Sequence, residues 1–313
     1  MQSMLVKVCL VCLGCVMPVA AGPFNAAWVS GDANWVVHLN LDALRGSQIG
    51  QAMLAEELDA AAQEPLQQAQ EMLGMDPRTD LNGVTLYGTA DAQEDFVAIV
   101  RGNFDVAKLL SHVENASGYA GSRLGSRDVH SWLVEEGIDE SRMFGTVLDN
   151  SRVMISRSVA QLEKGLAVLD GAQGNISAGS ELDTRILSGQ GVMLAVTADL
   201  RDVEFPQNPM MPQANVNIRN FLMQMRETDG TLGLRVAAQQ GSVQEAQQAE
   251  EMLNGFKMMG LMHLQQENPD LASLLQAITV GRNEATLLLG LSYSSEKLIN
   301  MMKEAAAPFV SEP

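Results

Sequence analysis

The sequence predicts an α+β fold: two related β-α-β-β-α-β-β-α units with mainly antiparallel sheets and the helices on one face. Three observations predict it. Short apolar segments come in pairs joined by turn residues, and each pair runs into a segment with helix-start chemistry, an order that favours hairpins packed under helices. The same order recurs in the two halves of the chain. A Gly/Ser-rich stretch, Gly171–Gly191, separates the halves. At 313 residues, 46% hydrophobic and 19% charged, the chain can bury enough surface for a globular core of two-domain size. Aromatics are only 4%, so that core rests on Leu, Val, Ile, Ala and Met.

Along the chain, Trp35–Leu39 alternates as a strand and runs into Asp42-Ala43-Leu44 and a helical stretch. Gly83–Gly88 and Phe96–Val100 form a strand pair feeding a helix that starts near Asp105. Phe144–Leu148 and Val153–Ser156 form a second pair across Asp149-Asn150, and the capping box Ser158-Val-Ala-Gln161 opens the next helix. In the second half, Val192–Val196 runs into Asp199-Leu200-Arg201, and Ile218–Arg226 pairs with Thr231–Val236 across Asp229-Gly230. A second capping box, Ser242-Val-Gln-Glu245, starts a long helix, and Asn268-Pro269 sets a cap ahead of a first-turn proline. Ile278–Val280, Thr286–Leu291 and a helix from Ser294 close the unit. The expected division is a signal peptide over 1–21, a first unit over 22–170, a linker over 171–190 and a second unit over 191–313.

The signal peptide explains the cysteines. Lys7 is the positive n-region, Val8–Met17 the apolar h-region and Val19-Ala20-Ala21 the small-residue cleavage site. All three cysteines, Cys9, Cys12 and Cys15, fall inside it, so a mature chain from Gly22 has no thiol chemistry and no disulfide. The apolar run is shorter than a membrane-spanning helix requires, and no later stretch approaches that length, so no transmembrane helix is expected in the mature chain. Leu13-Gly14-Cys15 also matches the end of a lipobox, which leaves lipid anchoring through Cys15 as an alternative. The expected location is periplasmic or secreted. The net charge of −18 becomes −19 once Lys7, the one charged residue of the signal, is removed. A field of that sign repels phosphate backbones, so nucleic acid is not an expected partner.

Two segments carry a resemblance. Gly74-Met-Asp-Pro-Arg-Thr-Asp-Leu-Asn-Gly-Val-Thr-Leu-Tyr-Gly88 follows an Ala/Gln/Glu-rich amphipathic stretch, and the opening strand turns through Asp42-Ala-Leu-Arg-Gly-Ser47. In these segments the chain resembles uncharacterised exported proteins of planctomycete-type bacteria. The resemblance implies an exported bacterial protein and brings no catalytic residues with it.

Motifs that carry chemistry are sparse. Gly290-Leu-Ser292-Tyr-Ser294 lies between a predicted strand and a helix but lacks the closing glycine of a nucleophile elbow. His38, His112, His130 and His263 share no metal-motif spacing. His263 and Glu267 are one helical turn apart, which is two ligands and not a site. Asp199, Asp202 and Glu204 read as a helix-initiating turn on an acidic chain. No metal, cofactor or catalytic residue is assigned.

Methionine is the compositional oddity. Sixteen of the nineteen lie beyond the signal and eleven beyond residue 190. Met252, Met258, Met259 and Met262 share the helix from Ser242, where Met258-Met-Gly-Leu-Met262 is apolar all round and needs cover on more than one side. Core packing by adaptable side chains is the expectation there. Thioether ligation of cuprous ion is the alternative, because soft sulfur selects that ion. Phe205–Pro212 spaces prolines at every third residue, the polyproline II period, which makes Pro206, Pro209, Met210, Met211 and Pro212 candidates for partner contact.

The function expected from these features is non-enzymatic binding or structural association, with an unknown protein or small ligand as partner. The alternative is a hydrolase with dispersed carboxylates and either His38 or His130, since such sites leave no local pattern. Export has a direct test. Intact mass of the protein from its native envelope should place the first residue at or near Gly22, and a diacylglyceryl group on Cys15 or a retained Met1 would contradict cleavage after Ala21.

Overall fold

The computed structural model describes residues 22–54, 76–89, 96–136, 139–178, 182–201, 203 and 217–306. Among the described residues twelve strands make one sheet: β1 (Trp35–Asn40), β2 (Leu81–Gly88), β3 (Phe96–Gly102), β4 (Ala120–Leu124), β5 (Arg127–Glu136), β6 (Asp139–Asp149), β7 (Arg152–Ser156), β8 (Val192–Asp199), β9 (Ile218–Thr228), β10 (Thr231–Gln240), β11 (Ile278–Asn283) and β12 (Thr286–Ser294). Their order is β11-β12-β10-β9-β8-β1-β2-β3-β7-β6-β5-β4, with every pairing antiparallel. Eight α-helices accompany them among the described residues: α1 (Leu41–Gly46), α2 (Gln48–Leu54), α3 (Pro77–Asp80), α4 (Val106–Glu114), α5 (Val159–Leu169), α6 (Val243–Glu267), α7 (Pro269–Ala277) and α8 (Ser295–Ala306). The fold is α+β on a large antiparallel sheet.

Local chemistry sets the ends of these elements. Asp105, Ser158, Ser242 and Asn268 are the N-caps of α4, α5, α6 and α7, each accepting a hydrogen bond from a first-turn backbone amide. Asp229 and Gly230 both have positive φ, which matches the twist of the β9–β10 hairpin they connect.

Alternate residues of a strand point to opposite faces, and the register shows which residues share one. A row of cross-strand neighbours, Gln224, Ala195, His38, Thr85, Ile99 and Met154, runs along one face. There Val97, Ile99 and Met154 pack with Leu162 and Leu166 of α5 and with Val36 and Tyr87. On the opposite face Val100, Val153 and Ile155 meet Val106 and Leu109 of α4. Met225 and Leu232 meet Ile49 of α2 and Leu298 and Ile299 of α8. Tyr293, the β12 neighbour of Leu232, contacts Ser273 of α7 and Met301 of α8, which puts α7 on that side too.

The expectation of helices on one face is thus corrected. The central strands force it: Val97, Ala98 and Ile99 are all buried, so both faces of β3 need cover, and α5 supplies it opposite α4. The stretch over 171–190 also contributes Ile176, Leu182 and Leu187 to the core under α5. Residues 1–21, the expected signal peptide, and the proline segment over 204–216, with Pro206, Pro209, Met210, Met211 and Pro212, lie outside the described residues.

Leu162 is the test of the α5 layer. It is fully buried among Met154, Leu166 and their neighbours, so Leu162→Ala should cost about 2–5 kcal/mol in urea unfolding. A cost below about 1 kcal/mol would mean that α5 does not seal its face of the sheet.

Candidate functional site: an apolar cavity under α4

Helix α4 has nine residues and is about 14 Å long, whereas the five neighbouring strands β2, β3, β7, β6 and β5 beneath it span about 19 Å. The helix cannot cover that width. What remains between them is a cavity of about 580 Å³. Its floor is Val84, Val100, Val147, Val153 and Ile155, its roof is Leu109, Leu110 and Val113 of α4, and Leu81 and Phe104 close one end. The outer wall comes from β5, where His130, Trp132 and Val134 alternate onto this face. Gly145 on β6 lets that wall form, because a Cβ there would stand 3.1 Å from the Trp132 ring.

Polar groups are few. His112 and Ala116 line the end near the close of α4, with His112 exposed. His130 stacks on Tyr119, with ring centroids 6.0 Å apart, and its Nδ1 lies 3.2 Å from the Tyr119 hydroxyl. Among the described residues no Asp or Glu side chain lines the cavity. Such a space suits an apolar group, since water there would find too few hydrogen-bond partners. Its volume is in the usual range for small-molecule pockets.

The other sequence candidates lie apart from it. His38 is buried in the middle of the sheet. Its Nε2–H donates to the Gly22 carbonyl at 3.1 Å and its Nδ1 accepts from Thr85 Oγ1 at 3.0 Å. Burial pushes its pKa down to about 4, opposed by the Gly22 hydrogen bond and reinforced by the Arg101 charge. With both nitrogens occupied, it is a structural residue. Asp199 is held by the Arg201 guanidinium, whose hydrogen bonds keep its carboxyl below the usual range. Asp202 and Glu204 lie outside the described residues. Ser292 sits inside β12, not on a strand-to-helix elbow, because the strand continues to Ser294. Among the described residues no group of three His, Cys, Asp or Glu side chains is placed to hold a metal ion.

The methionine helix departs from expectation. Met252, Met258, Met259 and Met262 are exposed on α6, together with Phe256, so they are not core residues. The inward side of α6 is Ala246, Ala249, Leu253, Lys257, Gly260 and Leu264 instead. Periodicity located an apolar helix correctly but could not tell which of its two apolar sides the sheet would take.

Sequence reasoning missed β4 and β5 and with them His130 and Trp132 as cavity residues. A signal was present: Gly125-Ser126 between Leu124 and Arg127 is a hairpin turn pair, and Gly125 has positive φ.

No family model matches the chain, and no curated protein matches it. Solved structures of the Treponema protein TP0453 are similar. Crystal form III has a TM-score of 0.49 at 10% identity, covering 91% of this chain and 99% of that one. Crystal form I gives 0.48 at 10% identity, covering 91% and 98%. A likeness at that level says nothing about ligand or activity.

The burial of His38 sets a pH dependence. Its pKa is 6.5 in the unfolded chain and about 4 in the fold, so between those values only the unfolded chain takes up the proton. The contribution is fully present above about pH 6.5 and is lost as pH falls toward 4, by up to about 3 kcal/mol. His38→Gln keeps a donor and an acceptor without titrating. Its urea midpoint should therefore drop less than that of the wild type between neutral and mildly acidic pH, and equal drops would assign the acid sensitivity to other groups.

Proposed function

We propose that this is an exported, non-enzymatic binding protein that takes an apolar small molecule, or the apolar part of a larger one, into the cavity under α4. The observation that carries this is the cavity itself: about 580 Å³, walled mainly by aliphatic and aromatic side chains, with side-chain hydrogen-bonding groups at His112, His130, Trp132 and Thr146, the last already donating to the Asp128 carbonyl. Filling it removes apolar surface from water on both partners, at roughly 25 cal/mol per Å². The export signal of residues 1–21 supports a periplasmic or secreted setting. The hydrolase alternative finds less support, because no carboxylate lines the cavity beside His130 and both nitrogens of His38 are engaged.

We also infer that the two halves arose by duplication. Outward from the β1–β8 pair, one half runs β1-β2-β3-β7-β6 and the other β8-β9-β10-β12-β11, so each places its first three strands in order and its last two in reverse. In each half a helix follows the third strand, α4 in one and α6 in the other. The β4–β5 hairpin is then an addition to the first half, where it forms the cavity's outer wall.

Titration with N-phenyl-1-naphthylamine, an uncharged apolar fluorophore, tests the binding function. One site per chain is expected, with displacement by a long-chain alcohol. Ala116 lies half-buried at the cavity's edge, so Ala116→Trp should fill the entrance and weaken binding at least about tenfold while leaving the melting temperature within a few degrees. Unaltered binding by that variant would remove the cavity from consideration.

A further inference from the structure

We propose that the outward side of α6 is a binding site for a soft monovalent metal ion, Cu(I), formed by the thioethers of Met258, Met259 and Met262 with the imidazole of His263. This inference does not depend on the cavity. All four side chains face solvent: Met258, Met259 and Met262 are 59%, 58% and 67% exposed, and the His263 side chain is 71% exposed. Met258 and Met262 are four residues apart, as are Met259 and His263, and Met259 and Met262 are three apart. Side chains at those spacings are neighbours on a helix, with Cβ atoms about 5–6 Å apart. Methionine has three rotatable bonds beyond its backbone, so the sulfurs can close on one ion with no change in the helix.

The rotation of α6 that exposes them is fixed by packing. A Cβ at Gly260 would lie 2.8 Å from Leu275 Cδ2, so α6 approaches α7 closely at that glycine. Lys257 Nζ reaches back to the carbonyl of Gln276 at 3.2 Å and to that of Ile278. Residues 258 and 262, about 200° around the helix from residue 260, must then point away from α7. An apolar row in water costs stability that polar residues would not.

The residue types name the ion. Leucine would serve a general apolar contact as well as methionine, but only thioether and imidazole together suit Cu(I), while hard cations call for carboxylates. His263 Nε2 lies 3.1 Å from Glu267 Oε2, an arrangement that orients the ring and leaves Nδ1 as the nitrogen to ligate, as carboxylate–histidine pairs do in metal sites.

The test uses the full chain with Cys9, Cys12 and Cys15 blocked by N-ethylmaleimide, titrated anaerobically with Cu(I) in ascorbate against a bathocuproine chelator. Methyl-labelled methionine is followed by NMR. One equivalent of Cu(I) should be retained, with shifts confined to the Met258, Met259 and Met262 methyls. The M258L/M262L double variant conserves volume and should melt as the wild type does, yet bind at least about tenfold more weakly. His263→Ala should also lose affinity. No retained Cu(I), retention unchanged in the double variant, or methyl shifts elsewhere would overturn the site. Concentration-dependent self-association through α6 without copper uptake would overturn it too, in favour of a protein contact.

Discussion

Strand β1 is hydrogen-bonded on both sides, to β2 over Trp35–Asn40 and to β8 over Trp35–Leu39, and the second pairing turns two half-sheets into one. Without it β1 and β8 would both be apolar edges, each a template for pairing with another chain. With it the outer edges become β4 and β11, of five and six residues, carrying Arg123 and Arg282. Arg123 pairs with Asp128 and Arg282 with Glu250, so both edges carry charged side chains. The seam also buries His38 between the halves, where a neutral imidazole joins Thr85 to the Gly22 carbonyl.

A sheet this wide must be covered on two faces, and the helices available do not match the widths beneath them. In the first half the β4–β5 hairpin broadens the sheet past the reach of the nine-residue α4, and an apolar cavity is the result. In the second half the 25-residue α6, about 37 Å long, packs mainly on β10, β12 and β11. It has more side to offer than the sheet can take, so its far side stays in solvent with its methionines on it. An undersized roof and an oversized one thus account for the two sites, and both follow from helix length set against strand number.

What could be read from the sequence was whatever neighbouring residues decide. The caps at Ser158, Ser242 and Asn268 and the Asp229-Gly230 hairpin involve residues within a few positions of one another, and their chemistry is the same in any context. The side taken by α5 is not local, because it depends on which face of β3 and β7 is left bare by α4. The strands β4 and β5 were obscured because Arg123, Arg127 and Asp128 interrupt the apolar alternation at an exposed edge, where strands carry charge. The cavity could not be read at all. Its walls come from residues scattered over 81–155, and a void is defined by what fails to meet across it.

Charge divides the work between the two sites. At −18 the chain's field draws cations toward its surface and repels anions, yet among the described residues no Asp, Glu, Lys or Arg lines the cavity, so selection there rests on shape and apolar area. For cations the field is not selective by itself, since hard and soft ions feel it alike. Among the described residues the carboxylates are spread out or engaged by arginine, as at Asp183 with Arg185 and Asp199 with Arg201, and they offer a hard ion no cluster. Among the described residues the exposed thioethers of α6 concentrate soft donors in that attractive field, and softness rather than charge then decides which cation stays.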